Sequence, residues 1–119
     1  MISNAIKVPA HIQPYTDVLG IALGVDFLLA FGGTPVYLSE HPQERSPVLQ
    51  LVGKEKTIEL AKRIHVGGVT VPTGKPFIAE YLRYKGLTNI AIARRLHVTE
   101  TTVRNWLGRQ VDAQLDLFG

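Results

Sequence analysis

The chain has 119 residues, 45% of them hydrophobic, with 13 basic and 10 acidic side chains for a net charge of +3 and no cysteine. That length holds one domain or two very small ones, and the composition excludes an intrinsically disordered chain. Without thiols there is neither a disulfide framework nor a thiolate metal site.

The first segment, "LGIALGVDFLLAFGGTPVYLS" over 19–39, reads as a helix, a glycine pair and a short strand. Thr16 is expected to cap the helix, with Asp17 near its positive end. Gly32-Gly33 supplies a left-handed residue that stops it, and "PVYL" alternates as a strand does. The apolar run over 18–31 contains Asp26 and is too short to span a bilayer. No basic segment followed by an apolar core and a cleavage site opens the chain. The expectation is a cytoplasmic protein with no membrane partner.

A second segment, "VGKEKTIELAKRIHVGGVTVPTG" over 52–74, repeats the pattern after the polar loop "EHPQERSP". Ser46-Pro47 predicts a capped helix start. Ile58, Leu60, Ala61 and Ile64 approximate an apolar face. Gly67-Gly68 is read as the helix stop and "VTV" as the strand. Two such short strands need to pair with each other, with another chain, or with both. The first helix is apolar almost all round, which predicts burial against a second copy and hence a homodimer.

"PTGKP" over 72–76 reads as a linker. Beyond it, Phe77, Ile78, Tyr81, Leu82 and Tyr84 form a helical stripe ending at Gly86. Thr88 caps a second helix, "NIAIARRL", and Thr99 caps a third, "ETTVRNWLGR". Ile92, Leu96, Val98, Val103 and Trp106 supply the packing positions of a helix-turn-helix, and Ala93 the small residue at the close approach. His97 stands at the turn position where glycine is usual, because φ there is often positive.

Charge supports this reading. Residues 75–110 hold seven basic side chains against Glu80 and Glu100, for +5, while the remainder carries −2. A basic third on a slightly acidic body is the footprint of a polyanion-binding module. The third helix is expected to enter the major groove of double-stranded DNA. Arg104 can fork onto guanine and Asn105 onto adenine. Thr101 and Thr102 can meet a phosphate or a thymine methyl, and Thr99 a phosphate at the helix start. Arg109 lies on the same helix. Arg94, Arg95 and Lys85 are candidate phosphate neutralisers, with a solvated helix face as the open alternative for the arginines.

Helix, glycine pair and strand, twice over, then a basic helix-turn-helix: "LGVDFLLAFGGTPVYLS", "HPQERSPVLQLVGKEKTIELAKRI…GGVTVP" and "IAEYLRYKGLTNIAIARRLHVTETTVRNWL" together resemble the Mor transcription activator family of Mu-like phages and prophages. The likeness spans residues 19–107. It implies a homodimer whose N-terminal region forms the interface, and activation of promoters with bacterial RNA polymerase. It also implies that the strand over 69–72 approaches the minor groove, where Thr70 is the polar side chain. Two departures stand out: the second helix-to-glycine spacing is two residues longer than the first, and few basic residues follow the last helix.

The chain closes on "AQLDLFG". Gln114, Leu115, Asp116, Leu117 and Phe118 resemble the linear motif by which bacterial replication and repair proteins dock on the β sliding clamp. Packing of these side chains back onto the fold is the open alternative. His11, His41, His65 and His97 lie far apart with no partner at ligand spacing. The glycine pairs lack the residues of a phosphate-binding loop. Neither catalysis nor a cofactor or metal is expected.

The expected fold class is mainly α (α+β). A dimerisation region spans 1–73, a helix-turn-helix 74–109 and a flexible tail 110–119. The expected function is a homodimeric, sequence-specific DNA-binding transcription regulator. An adaptor that recruits the clamp through the tail and a repressor are the rival readings.

Overall fold

The computed structural model describes residues 6–108. It is mainly helical with one small antiparallel sheet. In chain order the elements are α1 (Gln13–Phe31), β1 (Pro35–Leu38), α2 (Pro47–Val52), α3 (Lys54–Arg63), β2 (Gly67–Thr70), α4 (Lys75–Tyr84) and α5 (Asn89–Leu96). A further helix, α6, covers residues 100–108. The chain divides into two compact units, one over Val8–Gly74 and one from Lys75 onward, with which Ile6 and Lys7 also group. Nothing periodic around Ile6 foretold that this residue is buried, at 2% exposure.

In the N-terminal unit, α1 begins at Gln13, three residues before the expected cap. Ile12 takes the cap position without a side-chain hydrogen bond, and a proline stands in the first turn. The N–H groups of Ile12 and Gln13 both donate to Pro9 O at 3.0 Å. Thr16 is therefore inside the helix and buried, and its hydroxyl donates to Gln13 O at 3.1 Å. A start one turn earlier, set by the 9–12 turn and Pro14, replaces the threonine cap.

Gly20 breaks α1, with φ 80° and ψ 170°, a backbone region open in practice only to glycine. By length and composition the 19-residue helix suffices to cross a membrane, with mean hydropathy 1.4 over its most apolar stretch, of which 44% is buried inside the structure. The break is exposed, and hydrocarbon tolerates such a break only where neighbouring protein satisfies the freed backbone groups.

The first unit's core gathers on one side of α1. Ile12, Val25, Phe27 and Leu28 are at most 2% exposed, and Leu38, Leu60 and Val71 are fully buried. Phe27 meets Tyr15 and Phe31 at ring-centroid distances of 5.5 and 5.0 Å. Burial of the Tyr15 phenol pushes its pKa above the usual tyrosine value. A fully buried side chain of this class contributes about 1.5–3 kcal/mol. Helix α1 packs against α2 and α3, and α3 against β1. Arg63 and Asp17 bridge α3 and α1 at 3.0 Å, but both are over 40% exposed, so the pair adds little.

The second repeat is two helices rather than one. Ser46 caps α2 as expected, accepting the Leu49 N–H, with proline in the first turn. Gly53, at φ 90° and ψ 166°, ends α2 and starts α3. The Thr57 side chain, 1% exposed, donates its hydroxyl to Gly53 O at 2.7 Å and so locks the corner. Helix α3 ends at Arg63, before the glycine pair. Gly67 and Gly68 lie in β2 instead of stopping the helix, so the strand is Gly67–Thr70 and not 69–72.

The strands pair antiparallel, with Pro35 opposite Thr70, Val36 opposite Val69, Tyr37 opposite Gly68 and Leu38 opposite Gly67. Leu38 and Val36 share the inner face with Val69; Pro35, Tyr37 and Thr70 share the outer, exposed one. Beyond the ladder, Gly33 N–H donates to Val71 O at 2.7 Å and Val71 N–H to Thr34 O at 3.0 Å. Gly32 allows this closure: a Cβ there would lie 2.5 Å from Leu28 O and 3.1 Å from Pro72 O.

In the C-terminal unit, α4 buries Phe77, Ile78 and Ala79, while Tyr81 and Leu82 are half-buried and Tyr84 is exposed. It stops where expected. Gly86, at φ 99°, lets Leu87 N–H reach Leu82 O at 3.0 Å and its own N–H reach Arg83 O at 2.9 Å, the paired bonds of a Schellman ending.

Three glycine substitutions separate strain from clash. Gly20→Ala, whose Cβ meets nothing within 4 Å, is expected to cost about 1–3 kcal/mol through backbone strain alone. Gly32→Ala is expected to cost a similar amount, about 1–3 kcal/mol, through overpacking. Gly68→Ala, with neither a clash nor a positive φ, is expected to be neutral or to stabilise by up to about 1 kcal/mol. Urea denaturation of the three variants checks the order.

Candidate nucleic-acid interface

Two short helices and the turn between them carry most of the candidate residues. Helix α5 begins at Thr88, whose hydroxyl accepts the Ala91 N–H at 3.2 Å. Its inner face is Ile92, Ala93 and Leu96, at 0, 8 and 3% exposure. Arg94 and Arg95 are exposed in its last turn, where cations complement the helix dipole. Lys85 is exposed in the turn before α5.

His97 ends α5 in the left-handed conformation, at φ 57° and ψ 47°, and is the one non-glycine residue with positive φ among the described residues. Its own N–H and that of Val98 both converge on Ala93 O. The residue thus fills the role expected of glycine at this place, and histidine is among the side chains that tolerate it. Two residues later the chain enters α6. Thr99 Oγ1 accepts the Thr102 N–H at 3.1 Å and shares a 2.8 Å hydrogen bond with the Thr102 hydroxyl. Both threonine caps read for this part of the chain, Thr88 and Thr99, are present.

Helix α6 has a sharply divided surface. Val103 and Leu107, one turn apart, are 0 and 3% exposed. Trp106 and Val98 are half-buried rather than central, and Leu107 takes the deeper place the packing pattern had given the indole. The outward face carries Glu100, Thr101, Arg104 and Asn105, all exposed, with Thr102 half-buried at its margin. Spacings of one, four and five residues set these four on one side of a 3.6-residue helix. Arg104 is engaged in the free protein, its Nη2 lying 3.3 Å from Glu100 Oε2. Glu100 was not among the sequence-derived site residues, although the Glu-to-Arg spacing of four was the signal for the pair.

Thr70 stands apart from this group, in the N-terminal unit, on the outer face of the two-stranded ribbon beside Pro35 and Tyr37. Tyr37, 69% exposed, is a second residue the sequence did not single out; its alternation with buried Leu38 was the available clue. Tyr37 lines a cleft of about 610 Å³ together with Phe31, Val36, Val48, His41 and Arg45 among others, with no carboxylate among the described lining residues. Arg109 and the tail residues Gln114, Leu115, Asp116, Leu117 and Phe118 lie outside the described residues.

The four histidines are exposed and on separate segments. No group of three or more metal-ligating side chains occurs among the described residues. What the C-terminal unit offers is hydrogen-bond donors on a helix face, a capped helix start and a surplus of positive charge, all suited to an anionic polymer with polar edges. Compared with known proteins, the chain matches no family model, no curated protein and no solved structure.

The turn provides a direct check. His97→Gly is expected to leave stability unchanged or raise it by up to about 1 kcal/mol, whereas a β-branched valine there costs at least about 1–2 kcal/mol. Thermal unfolding followed by circular dichroism measures both.

Proposed function

We propose that this chain is a homodimeric, sequence-specific DNA-binding transcription regulator, most closely of the prophage activator type. In this reading α5, the His97 turn and α6 act as a helix-turn-helix, and α6 enters the major groove. One observation carries it: the exposed face of α6 presents Thr101, Arg104 and Asn105 together, behind a helix start capped by Thr99. Arginine and asparagine are the side chains whose paired donors and acceptors match guanine and adenine edges. The surplus of +5 over residues 75–110 supplies the attraction to phosphate that any such contact needs.

Dimerisation draws support from α1, where Ile21, Leu23 and Leu29 stay half-exposed although the helix has filled its own core. A second copy on that face would remove apolar surface from water and present α6 twice. The likeness to Mor-type activators adds bacterial RNA polymerase as the partner. The QLDLF sequence of the tail favours a second reading, a DNA-bound adaptor that recruits the β sliding clamp. Deleting the tail separates the two, because a promoter activator keeps its output and an adaptor loses it.

The purified protein is expected to sediment as a dimer and to protect a site of two half-sites, related by a dyad and about one helical turn apart. A monomer, or equal affinity for unrelated duplexes in moderate salt, would refute the proposal. Within the bound site, Arg104→Ala and Asn105→Ala should each relax base preference at one position, costing about 1–3 kcal/mol there. Arg94→Ala or Arg95→Ala should weaken all sequences alike and lower the log K–log salt slope by about one. Titrations over a salt series distinguish the two kinds of residue.

A further inference from the structure

Helix α6 has one acid on its outward face, and that acid is tied to the arginine best suited to reading a base. Glu100 Oε2 sits 3.3 Å from Arg104 Nη2, with 44% and 58% of the two side chains exposed. Water screens a pair of that exposure, so it does little for stability. Its place in the helix is nonetheless fixed. Glu100 directly follows the Thr99 cap, whose hydroxyl is held both by the Thr102 N–H and by the Thr102 hydroxyl. Negative charge at that end is favourable in the free helix.

Near a duplex the same carboxylate works in the opposite sense. It repels phosphates whatever the sequence, and it keeps the Arg104 fork from the nearest phosphate oxygen. One base arrangement compensates both effects: Arg104 donates to guanine O6 and N7 while Glu100 accepts from the N4 amino group of a neighbouring cytosine. The other outward side chains described on α6, Thr101 and Asn105, are neutral, so among the described residues of this helix Glu100 is the one acid on that face.

We infer that Glu100 is a specificity-determining residue: it restrains Arg104 from non-specific phosphate contact and penalises every site that lacks a cytosine beside the guanine Arg104 reads. This rests on the DNA-binding reading of α6.

The test uses the full chain and a duplex site that the wild-type protein selects from a random pool. Affinities are measured for that site, for its single-base variants and for a scrambled duplex of equal length. Glu100→Gln is expected to bind the scrambled duplex about three- to tenfold more tightly and to lose a cytosine preference of about tenfold at one position. Its melting temperature should fall by no more than a few degrees, through loss of one favourable charge at the helix start. Glu100→Asp, which keeps the charge but shortens the reach, should stay weak on scrambled DNA and lose the cytosine preference. If Glu100→Gln shows either effect missing, the inference fails while the DNA-binding reading stands. If the wild-type chain selects no site at all, that reading fails and the inference falls with it.

Discussion

The N-terminal unit depends on a backbone-to-backbone approach at Gly32. Where α1 ends, the chain must pass close enough to the Pro72–Thr73 segment for Gly33 and Val71 to exchange hydrogen bonds with the opposite strand. A side chain at residue 32 would occupy the space of Leu28 O, Pro72 O and the Thr73 Cα. The contact extends a ladder that is otherwise four residues long on each side. Ribbons of that size are marginal alone. Closure at this corner, with Leu38 and Val71 fully buried beneath the strands, is what makes the ribbon part of a core instead of a loose hairpin.

The C-terminal unit solves a different problem with local devices. Its helices are short, and short helices gain little from propensity. Four of the boundaries are marked chemically: a Schellman ending at Gly86, a threonine cap at residue 88, a left-handed stop at His97 and a second threonine cap at residue 99. These fix where α5 begins and ends and where α6 begins, and so decide which residues of α6 point outward. Val103 and Leu107 are committed inward, which leaves the polar side chains of α6 outside the core.

The sequence disclosed most where the structural cause is local. Ser46-Pro47, the two threonine caps and the stop at Gly86 act within four or five residues, and all four were legible. His97 was legible as an anomaly, and its left-handed backbone explains it. The failures share a cause as well. Gly20 lies well inside an apolar run, and only the backbone angles reveal the break. Gly53 was hidden because the apolar segment before it and the charged, amphipathic one after it looked like one helix. Gly67-Gly68 resembled a helix stop because nothing local announces that Tyr37 and Leu38 lie across from it. Thr16 resembled a cap because the turn at 9–12 that starts the helix has no strong residue signature. On α6 the outward residues followed from helical spacing, and the same spacing of four carried the Glu100–Arg104 pair, whose 3.3 Å approach the structure shows.

The single tryptophan has a consequence for how the two units can be watched. Trp106 sits half-buried on α6, in the C-terminal unit, and the N-terminal unit has no indole. Fluorescence emission excited at the indole band therefore follows one unit alone, while far-ultraviolet ellipticity, to which both units contribute helices, follows the whole chain. Coincident melting curves from the two signals would mark the chain as one cooperative block, and separated curves as two.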